Sequence, residues 1–210
     1  MAQVSAPLDM ANLALGHLKH KAITSINPPD KDSKGAKAAA KWYDTIRRSA
    51  LADHPWNFAC KRATIAAEAD APIFEWSTKF EQPDDYIRLV KVGEVWWSDF
   101  DYEDEDGYIL TNEPGPLYLK YIYDQKDLTK WSPKFVLYMS LHYASAMAYE
   151  VTGNASLGEG LKKEAEKILQ VGQSIDGQNR PPRRIERIGM IAARRGRGGR
   201  YRGWERWGDN

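Results

Sequence analysis

Six carboxylates fall in the eight positions from Asp99 to Asp106, within the run Asp99-Phe100-Asp101-Tyr102-Glu103-Asp104-Glu105-Asp106-Gly107. Alternating acids ahead of a glycine are what a calcium loop needs, because a hard divalent cation gathers several oxygens around a sharp turn. Counted from Asp101, however, the glycine arrives one place late, and the position that should hold a bidentate glutamate is Asn112. The run therefore reads as a solvated hairpin tip. In that setting Asp101, Glu103, Asp104 and Glu105 form a negative surface that repels DNA or lets it slide past. A metal-dependent hydrolase at the same carboxylates is the third and least favoured reading of the chain.

The remaining residues with chemical potential are sparse. His17 and His20 stand three apart and could share a metal, but nothing nearby completes the three or four ligands a site requires. The lone Cys60 sits close to Trp56 and Phe58 and reads as a structural thiol; His54 is too near in sequence to serve as its base. There is no phosphate-cradling glycine loop, no serine elbow and no histidine–carboxylate set at catalytic spacing. The expectation is a non-enzymatic protein with no cofactor and no metal.

Charge is distributed very unevenly. Residues 180–210 hold ten arginines opposed only by Glu186, Glu205 and Asp209, a formal +7; the net charge of +1 leaves −6 for residues 1–179. The segment Arg194-Arg195-Gly196-Arg197-Gly198-Gly199-Arg200-Tyr201-Arg202-Gly203-Trp204 has the composition of RNA-binding arms, in which guanidinium groups meet phosphates and rings stack on bases. Its lead-in is apolar as well as basic (Ile185, Ile188, Met190, Ile191), and Trp204 and Trp207 suit protein pockets equally well. By composition, nucleic acid and a protein partner are evenly matched.

Around these residues the chain reads as helices flanking a β-rich stretch. Leu8, Ala11, Leu15, Leu18 and Ala22 predict a helix over residues 6–20, and Ala39, Tyr43, Ile46 and Ala50 predict another from Ser33 to Ala52. Alternation from Ile73 to Phe80, and the runs 87–92, 108–110 and 117–123, read as strands of an antiparallel meander. Ser132-Pro133 opens a third helix, apolar on nearly every face and hence buried. Ser156-Leu157-Gly158-Glu159 matches a capping box for a fourth, with Leu161, Ala165, Ile168, Leu169 and Gly172 inward. The expected fold class is α+β: a four-helix bundle (1–55 and 130–178) with an antiparallel β-meander inserted between helices 2 and 3 (56–129), plus an extended basic C-terminal arm (179–210). The opening residues lack the pattern of a signal peptide, and no stretch approaches the length of a membrane span.

Several phrases carry a resemblance. They are Ala14-Leu15-Gly16-His17-Leu18 with Ile23-Thr24-Ser25-Ile26, Tyr43-Asp44-Thr45-Ile46-Arg47-Arg48, His54-Pro55-Trp56-Asn57-Phe58-Ala59 and Pro83-Asp84-Asp85-Tyr86-Ile87-Arg88-Leu89. Ala144 to Gly153 and Leu161 to Ala165 extend the match, which spans roughly residues 8–175. Together they resemble the head–tail adaptor proteins of tailed bacteriophages, specifically the tail tubular protein A type of short-tailed phages; the His54–Ala59 phrase is the most specific part. The resemblance implies a homo-oligomeric ring of about twelve copies between the portal protein and the tail nozzle. DNA would pass through the channel without sequence-specific binding. The implied location is the virion head–tail junction, with host cytoplasm during assembly and no membrane. It further implies that the C-terminal arm reaches the portal; the arm's own composition makes Arg183, Arg184, Arg187, Arg194, Arg195, Trp204 and Trp207 the expected docking residues. Asp101, Glu103, Asp104 and Glu105 would face the lumen or the tail side. The alternative is a nucleic-acid-binding accessory protein acting through the arginine–glycine arm, whose run matches no motif of the resembled family.

Overall fold

The computed structural model describes residues 4–30, 33–93 and 101–179. The chain divides into two units, residues 1–177 and 178–210, and all but the first two residues of the second lie outside the described set. The described residues form an α+β fold with four α-helices and two small antiparallel sheets.

Local chemistry sets each helix. In α1 (Pro7–His17), proline occupies the first turn, where its missing N–H is no loss. Asp9 reaches back to accept from the backbone N–H groups of Ser5 and Ala6 at 3.1 and 3.0 Å. The helix ends sooner than its apolar spacing predicts. Lys19 adopts φ 55°, so His20 N–H donates to Leu15 O and Lys19 N–H to Gly16 O, the paired bonds of a Schellman terminus. α2 (Lys34–Ala52) is capped by Ser33 Oγ, which accepts from Ala36 N–H at 3.1 Å. Its alanine face (Ala36, Ala39 and Ala50, all fully buried) lets it approach α3 (Pro133–Thr152) closely enough for the Tyr143 hydroxyl to donate to Ala39 O at 2.5 Å.

α3 is the central element, against which both α1 and α2 pack. It starts at Ser132, whose Oγ accepts from Phe135 N–H, and stops at Gly153, where φ is 72°. α4 (Ala155–Gln178) follows at once. Its cap is Asn154, whose Oδ1 accepts from Leu157 N–H at 3.2 Å, rather than the Ser156 of the expected capping box. With α3 closed at Gly153, an asparagine is already in place as a good N-cap, and Ser156 falls inside the first turn.

The strands do not pair in chain order as a meander would. β1 (Cys60–Ile65) and β3 (Tyr86–Val92) flank β6 (Leu117–Tyr123) in one sheet; β2 (Thr78–Glu81) and β4 (Tyr102–Glu105) flank β5 (Tyr108–Thr111) in the other. Only β4 and β5 are sequential neighbours. The alternation of β6 explains the arrangement. Leu117, Leu119 and Tyr121 are buried with Phe80, Val92 and Ile109 in a small β core, while Ile122, on the opposite face, joins the helical core. One strand thus serves two cores. The long strand expected from Ile73 is reduced to Thr78–Glu81, because Glu75 takes φ 69° and interrupts the extended chain.

Candidate interaction surfaces

Asp101 to Asp106 fold as one arm of a hairpin. Asp106 (φ 47°) and Gly107 (φ 81°) make the two-residue connection between Glu105 and Tyr108, the positive-φ pair that Asp-Gly sequences favour. All four residues of β4 are exposed, on an outer strand of their sheet. An extended strand sends alternate side chains to opposite faces, so Glu103 and Asp104 diverge instead of converging on a cation. Each has a local role: Trp76 Nε1–H donates to Glu103 at 3.0 Å, while Gln82 Nε2–H and the Tyr86 hydroxyl both donate to Asp104. Burial and the Asp104 acceptor together push the Tyr86 phenol well up. Three of the carboxylates therefore lie along β4 rather than at the hairpin tip. Glu103 and Asp104 fasten the strand, and Glu105 extends the acidic face.

The arm residues Arg183, Arg184, Arg187, Arg194, Arg195, Trp204 and Trp207 lie outside the described residues. What is described is the helix that precedes them. Near its end, buried Asp176 uses both carboxylate oxygens: one faces His54 Nε2 at 3.2 Å, and the other accepts from Asn57 N–H at 3.1 Å. Asn57 Nδ2 returns a bond to Asp176 O at 2.9 Å. One helical turn earlier, a Cβ on Gly172 would stand 3.1 Å from the Trp56 ring, so glycine is what lets the indole lie against α4. Trp56 also stacks near Phe58, meets Phe135 edge-on and donates to Ala50 O at 3.2 Å. Asp176 is not among the residues the sequence singles out, yet its position carries a signal. It continues the inward spacing of Leu161, Ala165 and Gly172, and an acid on a buried stripe must have a partner.

A second cluster joins the helices to the first sheet. Arg47 and Asp124 have side chains only 6% exposed, and they form a two-point pair, Nε to Oδ1 at 3.1 Å and Nη2 to Oδ2 at 2.9 Å. Arg47 also reaches the exposed Asp44 at 2.9 Å, and Arg48 approaches Asp124 at 3.5 Å. Just beside it, Asp124 N–H donates to Asp85 O. Burial pushes the Asp85 carboxyl up, but Lys61 Nζ at 2.7 Å and the Tyr121 hydroxyl at 2.9 Å outweigh it and hold the group below the usual carboxylate range. A depressed folded value means that Asp85 stabilises fully above its unfolded pKa and loses that contribution as pH falls through its folded one. Asp85→Asn is thus expected to flatten the acid limb of a stability-versus-pH curve, by about 1 kcal/mol or less since the carboxylate is a third exposed. Urea titrations of both proteins across that range check this.

The structure separates the remaining candidates. His17 Nε2 lies 3.1 Å from Ser140 Oγ, while His20, beyond the helix end, has Nδ1 2.8 Å from Lys21 O. Cys60 is half-buried at the start of β1, and the His54 ring turns to Asp176. Among the described residues no helix is long and apolar enough to cross a membrane, and no group of three or more His, Cys, Asp or Glu side chains could hold a metal ion. The chain matches no protein-family model and no curated protein.

Proposed function

We propose that this protein is a non-enzymatic head–tail adaptor of a phage virion, assembling as a ring of about twelve copies between portal and tail nozzle, through which the genome passes during ejection. The observation that carries the reading is the role of the His54–Ala59 phrase. Its side chains and backbone grip Asp176 and Gly172, so the most specific part of the resemblance holds the very helix that leads into the basic arm. The four helices act together as the body of the ring in this reading, with residues 56–129 as the insertion that meets neighbours and the tail side.

The charge pattern supports the same reading. An acidic body with Asp101, Glu103, Asp104 and Glu105 exposed offers phosphates nothing to bind, whereas a basic lining would hold DNA with each added contact. A basic arm that orders on docking covers much partner surface at modest affinity per contact, and repetition around a ring supplies avidity. The arm's arginines and tryptophans meet the portal.

Full-length protein mixed with portal rings from the same genome, and separately with DNA or RNA, should associate with the portal; deleting residues 180–210 should abolish that association. Loss of nucleic-acid binding on deletion, with portal association intact, would assign the arm to the nucleic-acid reading instead.

A further inference from the structure

The loop between β1 and β2 carries the two most exposed large apolar side chains among the described residues, Ile73 at 99% and Phe74 at 77%. The loop is tethered. Glu68 N–H donates to Lys79 O at 2.9 Å, Trp76 N–H to Phe74 O at 2.8 Å, and Ser77 N–H to Asn112 Oδ1 at 3.1 Å. The Trp76 indole is fastened to Glu103 at 3.0 Å. Ile73 and Phe74 are therefore held out on a pinned support. The same loop carries Glu68, Asp70 and Glu75, all exposed, with no basic residue between positions 66 and 78.

Elsewhere on the same chain is a cleft of about 750 Å³, whose apolar lining is Ala22, Ile23 and Val151 and whose rim carries His20, Lys21 and Lys34. Among the described residues one acid lines it, Asp30, which accepts from Thr24 N–H at 2.9 Å and from the Thr24 hydroxyl at 3.0 Å and keeps its charge, so the two lysines outnumber it. An apolar knob flanked by three acids and an apolar cleft whose described lining carries two lysines against one aspartate are complementary in both charge and polarity.

We propose that Ile73 and Phe74 of one copy seat in this cleft of the next copy. The knob and the cleft are different surfaces, so the contact is heterologous and propagates head to tail, which closes into a ring if the rotation permits. A second copy is favoured over a lipid surface, because three acids beside the tip oppose anionic headgroups. The proposal rests on the ring reading above and names the interface that would build it.

Cysteine trapping tests it in the full chain with Cys60→Ser as background. Phe74→Cys and Ala22→Cys on one chain, treated with a short bis-maleimide, should give a ladder of cross-linked species. The two single variants mixed should give dimers joined through positions 22 and 74, and either one alone should stay monomeric. Lys21→Glu with Lys34→Glu should abolish the ladder, and adding Asp70→Lys with Glu75→Lys should restore it. No ladder, a Phe74→Cys variant that dimerises with itself as readily as with Ala22→Cys, or anionic-vesicle binding that Phe74→Asp abolishes would each overturn the proposal. Portal binding measured in parallel separates the two levels. Portal association without a ladder sinks this interface only, whereas a ladder without portal association sinks the adaptor reading and leaves the interface standing.

Discussion

Replacing Trp56 with alanine is expected to destabilise the protein by about 3–5 kcal/mol, the largest effect of any single core truncation considered. Trp56 is 1% exposed and is the bulkiest fully buried side chain among the described residues. Its ring fills the space among Phe58, Phe135, His54 and the α4 backbone at Gly172, so its removal opens a cavity bounded by three separate stretches of chain. The indole's donation to Ala50 O is lost as well, leaving the carbonyl at the end of α2 without that donor. Thermal unfolding should shift down by roughly 6–20 °C at this chain length. Trp56→Phe should retain much of the packing and cost less. The reciprocal change, Gly172→Leu, overpacks the same contact from the other side and should cost about 1–3 kcal/mol. Thermal melts of the three variants, followed by circular dichroism, would establish the order.

The second large effect concerns the Arg47–Asp124 pair. Asp124→Ala should cost about 3–5 kcal/mol, because it strands a guanidinium that is almost entirely buried. Asp44, the remaining partner, is 78% exposed and too well solvated to compensate. Arg47→Met should be milder, since Arg48 and Lys126 still approach Asp124, at 3.5 and 3.9 Å. The double replacement Arg47→Met with Asp124→Leu removes both charges and should recover much of the loss, as apolar pairs of similar volume often match buried ion pairs. A double-mutant cycle in urea measures this coupling. Near-additive single effects would contradict the description of the pair as one buried unit.

How far the sequence discloses this architecture differs from element to element. α2 and α3 are legible because serine caps, an alanine stripe and Pro133 all act locally. Tyr43, Ile46 and Ala50 are buried as their spacing requires. α1 ends early for a reason that periodicity does not contain: Lys19 takes a left-handed conformation without being a glycine. The strands are legible individually but their order is not. Short alternating runs carry no register, and β6 becomes central only because its two faces complete two separate cores. Long-range polar pairs are the least legible. Arg47 and Asp124 are 77 residues apart, and His54 and Asp176 are 122 apart, so only the presence of an acid on an inward stripe hinted at a partner. The acidic run reads as a solvated hairpin tip because a block of charge stays in water, but its ties to Trp76, Gln82 and Tyr86 depend on the folded sheet.

The adaptor reading stands or falls on a measured stoichiometry. Portal rings incubated with excess full-length protein, freed of unbound chains and weighed by native mass spectrometry should carry a saturating number of copies matched to the portal's own symmetry, with no nucleic acid required. Failure to bind the portal at any ratio, with co-sedimentation on DNA or RNA instead, would contradict it.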